Sequence, residues 1–121
     1  MEKVTLVIGA SPKRERFSNK AVLRLQKYNY PVIAIGLRDG YIGNVKIITG
    51  LPADPGPVHT VALYLGPVNQ KRYYGYILSL KPERIIFNPG TVNPELADLA
   101  TKNGIAAVND CVLVMLSRGR Y

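Results

Sequence analysis

The sequence predicts an α/β protein: a Rossmann-like, doubly wound fold with a mostly parallel five-stranded sheet and helices on both faces. Three observations lead there. Short apolar runs, each stopped by a glycine or an asparagine, recur along the chain; segments of helical periodicity lie between them; and no repeat, low-complexity tract or change of composition divides the 121 residues. Residues 1–121 therefore read as one domain, long enough to bury a core without disulfides or metals.

The first run, residues 4–8, is apolar almost throughout and ends at Gly9, the pattern of a parallel strand covered on both faces. Ala21, Val22, Leu25 and Tyr28 then recur at helical spacing, with Ser18 as the expected N-cap. Pro31 ends that helix, and residues 32–35 form a second strand stopped by Gly36. Residues 38–57, rich in Gly, Pro and Asp, read as an irregular connection in which 45–48 is at most a short strand. Residues 58–65 make the third strand. A helix over 69–80 carries Tyr73, Tyr76, Ile77 and Leu80 on one stripe, although Gly75 weakens it. Residues 84–87 form the fourth strand, and Asn93-Pro94-Glu95 starts the next helix with a cap, a first-turn proline and an acid at the positive dipole end. Leu96, Leu99 and Ala100 form its inner face, Asn103-Gly104 closes it, and 105–108 is the fifth strand. The last apolar stretch, 111–116, suits helix or strand equally.

Composition narrows the partners. No apolar run approaches the ~18–20 residues that would span a bilayer, and the N-terminus enters the first strand without a secretory pattern, so a soluble, cytoplasmic protein with no membrane partner is expected. The single cysteine, Cys111, and single histidine, His59, form no zinc-ligand cluster. Sixteen Lys and Arg against eight Asp and Glu give a net charge of +8, which attracts nucleic acid, phosphorylated small molecules and acidic proteins alike.

In a doubly wound fold ligands lie at the carboxyl ends of the strands. Four such ends are unusual: Gly9-Ala10-Ser11-Pro12-Lys13, Gly36-Leu37-Arg38, Tyr64-Leu65-Gly66-Pro67 and Asn88-Pro89-Gly90-Thr91. They are expected to share one crevice. In the first, the small Gly9 and Ala10 let backbone amides approach a ligand, Ser11 and Ser18 offer hydroxyls, and the following helix presents its N-terminus to an anion. Lys13 is expected to face the ligand, with Arg14 and Arg16 left to solvent. In the second, Arg38 stands where an NAD site usually has an acid, and a guanidinium grips a ribose phosphate instead. The first loop also lacks the second and third glycines of G-x-G-x-x-G, which disfavours a standard NAD site.

The order of these features resembles the small single-domain CoA-binding protein family, whose fold is similar to the N-terminal CoA-binding domain of the succinyl-CoA synthetase alpha subunit. Residues 7–13, the second strand running to Arg38, and residues 103–111 (NGIAAVNDC) carry the resemblance. It implies coenzyme A as the ligand, with its diphosphate over Gly9, Ala10, Ser11 and Lys13. Arg38 would meet the 3′-phosphate or flank the adenine. Leu65, Gly66, Pro67 and Val68 would line the adenine or its linker, and Asn88, Pro89 and Gly90 would lie towards the pantetheine arm. The phosphorylated histidine of the synthetase belongs to another domain, so that activity does not carry over.

The expected function is a module that binds CoA or acyl-CoA without a catalytic group of its own. Cys111 lacks an evident base or cation to activate it and reads as a small buried side chain. His59 falls at the opposite end of its strand from the crevice. An NADP-dependent oxidoreductase-like domain is the alternative that Arg38 allows. A nucleic-acid surface would rest on Tyr73, Tyr74 and Tyr76 beside Lys71 and Arg72, but Tyr73 and Tyr76 are better read as packing with Ile77 against the sheet or a second copy in a homodimer, with Tyr74 exposed. Arg118 and Arg120 read as a solvated tail.

Overall fold

The computed structural model describes residues 2–121. Strand β1 (Thr5–Ala10) leads through α1 (Phe17–Lys27) to β2 (Val32–Gly36), and a hairpin of β3 (Tyr41–Ile42) and β4 (Val45–Ile48) follows. Next come β5 (Thr60–Leu63), α2 (Pro67–Gln70), a 3₁₀ turn (Lys71–Tyr73), α3 (Tyr74–Leu80) and β6 (Arg84–Phe87). The chain ends with α4 (Pro94–Lys102), β7 (Ala106–Asn109) and α5 (Val112–Ser117).

The sheet has seven strands in the order β3-β4-β2-β1-β5-β6-β7, not the five expected. Every neighbouring pair is parallel except β3 with β4. The two added strands lie in the stretch read as irregular. Residues 45–48 do form a strand, pairing with β2 through Ala34–Ile47 and Ile35–Ile48. The chain reaches it through a two-residue turn, Gly43-Asn44, with Gly43 at φ +61°. Gly-Asn between apolar residues is a hairpin signal in its own right, here short enough to be masked by the surrounding Gly and Asp. Gln26 of α1 secures the hairpin, its Nε2 donating to the Ile42 carbonyl at 2.8 Å and its Oε1 accepting from the Asn44 amide at 3.1 Å.

Alternation along the strands sorts the core into two layers. Val7, Ala10, Ala34, Ala62 and Ile86 face α1 and α5, while Leu6, Ile8, Ile35, Leu63 and Phe87 face α3 and α4. The ambiguous stretch 111–116 is the helix α5, because Val112, Met115 and Leu116 recur at i, i+3 and i+4 and bury against the first layer. The helix expected over 69–80 is instead broken by the 3₁₀ turn Lys71–Tyr73. Ser18 is not the cap of α1: Arg16 holds that position and makes no side-chain cap bond, and Ser18 is buried as the second residue of the first turn. Asn93 does cap α4, accepting from the Leu96 amide at 3.3 Å.

The sheet's amino-terminal end is closed by Tyr121. Its ring packs edge-on to Tyr30 at 4.9 Å and under the Arg84 guanidinium at 4.6 Å, and its hydroxyl bonds Thr5 Oγ1. The end of the chain is thus docked rather than loose, although Arg118 and Arg120 are exposed as expected. His59 is at this same end, its Nδ1 2.8 Å from Thr60 Oγ1; burial, then Arg84 and Lys3, lower its pKa.

β1 and β2 approach so closely at their carboxyl ends that a Cβ on Gly36 would stand 2.2 Å from the Ala10 carbonyl oxygen. Gly36→Ala should therefore destabilise the fold by about 3 kcal/mol, the upper range for overpacking. Gly75→Ala, in α3 with open space around it, should instead stabilise it by about 0.5–1 kcal/mol. Urea unfolding of both variants tests the pair, and equal midpoints would refute the close approach.

Candidate ligand-binding crevice

β1 and β5 are neighbours, yet α1 leaves β1 for one face of the sheet and α2–α3 leave β5 for the other. Diverging connections open a gap at the strand ends. The gap is a crevice of about 800 Å³. It takes in the site residues expected from the sequence (Gly9, Ala10, Ser11, Lys13, Ser18, Arg38, Leu65, Gly66, Asn88, Pro89 and Gly90) but not Pro67 or Val68, which border a separate depression. Pro67 opens α2 at its first position, and the depression also takes in Lys71 and Glu95.

The floor of the crevice is built by close backbone contact. β1 shifts register between Ile8 and Ala10, and Gly9 adopts φ +99°. A Cβ there would lie 2.8 Å from Leu65 Cδ2 and 3.0 Å from the Tyr64 carbonyl. The small size of Gly9 therefore serves the neighbouring β5 loop, a different use from the ligand approach expected of it.

Buried amide side chains hold the walls. Asn19 Nδ2 donates to the Ser11 carbonyl at 2.9 Å, and Ser11 Oγ accepts from the Lys13 amide at 3.2 Å, which shapes the first loop. Gln70, fully buried, donates through Nε2 to the carbonyls of Leu65 at 2.9 Å and Thr91 at 2.7 Å, and its Oε1 accepts from Asn93 Nδ2 at 2.8 Å. Asn88 Nδ2 donates to the Leu63 carbonyl at 3.0 Å while its Oδ1 accepts from the Val112 amide at 2.9 Å. Its side chain is thus engaged in tying β5, β6 and α5 together. Tyr74 is half-buried rather than exposed, its hydroxyl accepting from Asn93 Nδ2 at 2.8 Å and donating to Glu95 at 3.0 Å.

The charged residues of the lining are all cations, Lys13, Arg16 and Arg38. Arg16 is a correction, since it lines the crevice where solvent was expected; Arg14 stays outside. Among the described residues Arg38 makes no ion pair with Asp39 or any other carboxylate. The N-terminus of α1, with no acid in its first turn and no side-chain cap, opens beside these cations. Cys111, expected as core, is half-buried and lines the far end with Tyr64 and Leu113. No group of three His, Cys, Asp or Glu among the described residues could hold a metal ion, and no helix is long and apolar enough to cross a membrane.

The CoA binding domain family matches residues 3–117. The chain belongs to this family. No curated protein matches it. Among solved structures, an uncharacterized protein is 45% identical with a TM-score of 0.95, over 100% of this chain and 99% of the other. A hypothetical protein from Pyrococcus horikoshii OT3 is 25% identical with a TM-score of 0.85, over 97% of this chain and 82% of its own. A Thermus thermophilus protein, 19% identical with a TM-score of 0.87 over 99% of this chain and 91% of its own, shares the fold.

Within this CoA-binding domain, the sequence did not point to Phe17, Asn69, Tyr73 and Leu113 of the lining, nor to Arg16. Phe17 carried the same signal as Leu37 of the second strand end. Each is a large apolar residue in a loop or helix start beside a named cation, and they are 68% and 80% exposed at the crevice rim. Gln70 and Asn93 carried none, because a buried amide is recognisable only from the carbonyls it meets. Gln70→Ala would leave two carbonyls and one amide donor without their partner and should lower stability by about 2–3 kcal/mol. Hydrogen exchange should quicken across 64–67 and 88–92; unchanged stability and exchange would show that Gln70 does not hold the walls.

Proposed function

We propose that this CoA-binding domain holds coenzyme A or an acyl-CoA, with the diphosphate over the first strand–helix loop and the ribose 3′-phosphate at Arg38, and without chemistry of its own. What carries the reading is the grouping of Lys13, Arg16 and Arg38 around the N-terminus of α1 in one crevice, in a chain of this family. Two anionic groups separated by a ribose need two cationic places. The β1 loop supplies one through Gly9, Ala10, Ser11, Lys13 and Ser18 with the first amides of α1. The end of β2 supplies the other, a guanidinium suited to two parallel hydrogen bonds with a phosphate. Leu65 and Gly66 would border the adenine or its linker, and the turn at Pro89-Gly90 the pantetheine arm; Pro67, outside the crevice, is not assigned a contact.

The test is a titration of the purified domain with CoA, dephospho-CoA, NADP and NAD. CoA should bind most tightly. Dephospho-CoA should bind about tenfold more weakly, the scale of one charge-assisted contact at a partly exposed site. Arg38→Ala should remove most of that difference while leaving dephospho-CoA affinity within about twofold. Equal binding of CoA and dephospho-CoA by the unaltered chain would dismiss the Arg38 assignment, and tighter binding of NADP than of CoA would favour an oxidoreductase-like domain.

A further inference from the structure

We infer, resting on the CoA reading above, that this crevice accepts the free thiol or an uncharged acyl group and discriminates against acyl groups that end in a carboxylate. The crevice is divided by charge. Lys13, Arg16 and Arg38 all come from the segments that follow β1 and β2, whereas the segments that follow β5, β6 and β7 contribute Tyr64, Leu65, Tyr73, Thr91, Cys111 and Leu113. No lysine, arginine, histidine, aspartate or glutamate lines this second half among the described residues.

The buried amides beneath it are already committed. The amides of Asn88 and Gln70 are bonded to the fold at both ends. Burial pushes the Tyr64 phenol up, so it stays protonated and uncharged. No cation of the adjoining segments is part of the lining, Lys71 bordering the separate depression. Asp110 precedes Cys111, accepts from its amide at 2.7 Å and lies 3.7 Å from Arg120, which answers its charge. Arg72 stacks over Tyr73 at 5.8 Å but is exposed and not part of the lining, and Glu95 is bonded to Tyr74.

With the phosphates on the basic half, the pantetheine arm leads the thioester into the neutral half. An acyl chain there meets apolar and aromatic walls. A terminal carboxylate would lose water and gain no cation, a cost that grows with burial.

Succinyl-CoA and butyryl-CoA have acyl chains of the same carbon count and differ in that charge. In a competition assay against CoA, butyryl-CoA should bind within about threefold of CoA, and succinyl-CoA at least about tenfold more weakly than butyryl-CoA. Malonyl-CoA and propionyl-CoA should split the same way. Pro89→Lys, which places a cation on the exposed rim of the neutral half, should narrow the succinyl–butyryl gap, with circular dichroism confirming the fold. Succinyl-CoA binding as tightly as butyryl-CoA, or an unchanged gap in Pro89→Lys, would overturn the inference. If CoA itself fails to bind, the ligand reading fails instead, and the two failures are distinct.

Discussion

Three strand ends meet backbone to backbone, and the rest of the structure depends on that contact. A Cβ on Gly36 would reach 2.2 Å from the Ala10 carbonyl, and one on Gly9 would touch the Tyr64 backbone at 3.0 Å. No side chain fits between β2, β1 and β5 at this height, so the loops leaving them must turn away at once. α1 goes to one face and α2 to the other. The crevice is the space left by that divergence.

The walls and the rim are then made of different materials. Asn19, Gln70, Asn88 and Asn93 are buried and bonded to loop carbonyls and amides. Losing such a partner leaves a desolvated group, a cost of about 1–3 kcal/mol, whereas an exposed ion pair contributes about 1 kcal/mol or less. The fold accordingly rests on amides, and Lys13, Arg16 and Arg38 stay exposed at the rim, outside its structural ties. The net charge of +8 is spread over the whole chain, but within the crevice it becomes a gradient from a basic half to a neutral one.

Legibility followed the range of the interaction. β1, β2, β6 and the cap of α4 were readable because a run of apolar residues or an Asn-Pro-Glu start is a local pattern. The β3–β4 hairpin was lost because a two-residue strand has almost no periodicity, although Gly43-Asn44 was there to be read. Arg16 was misassigned for another reason. Its position as N-cap of α1, two residues earlier than Ser18 suggested, brings it to the crevice, and a two-residue error in a helix start changes which side chains flank its N-terminus. Tyr74 was assigned to solvent because its partners, Asn93 and Glu95, lie some twenty residues away.

By itself the sequence determined the doubly wound class, the order of most elements, and the four strand ends that share the crevice, because strand and helix signals and breaker residues act over a few positions. The family followed from the same order of motifs. Only the tertiary structure decided that Gly9 serves Tyr64 and Leu65, that the Asn88 side chain belongs to the fold, that Cys111 faces the crevice, and that its charge is confined to one half. Each of those depends on contacts between segments distant in the chain, where the burial and hydrogen bonding of one residue are set by backbone it meets only after folding.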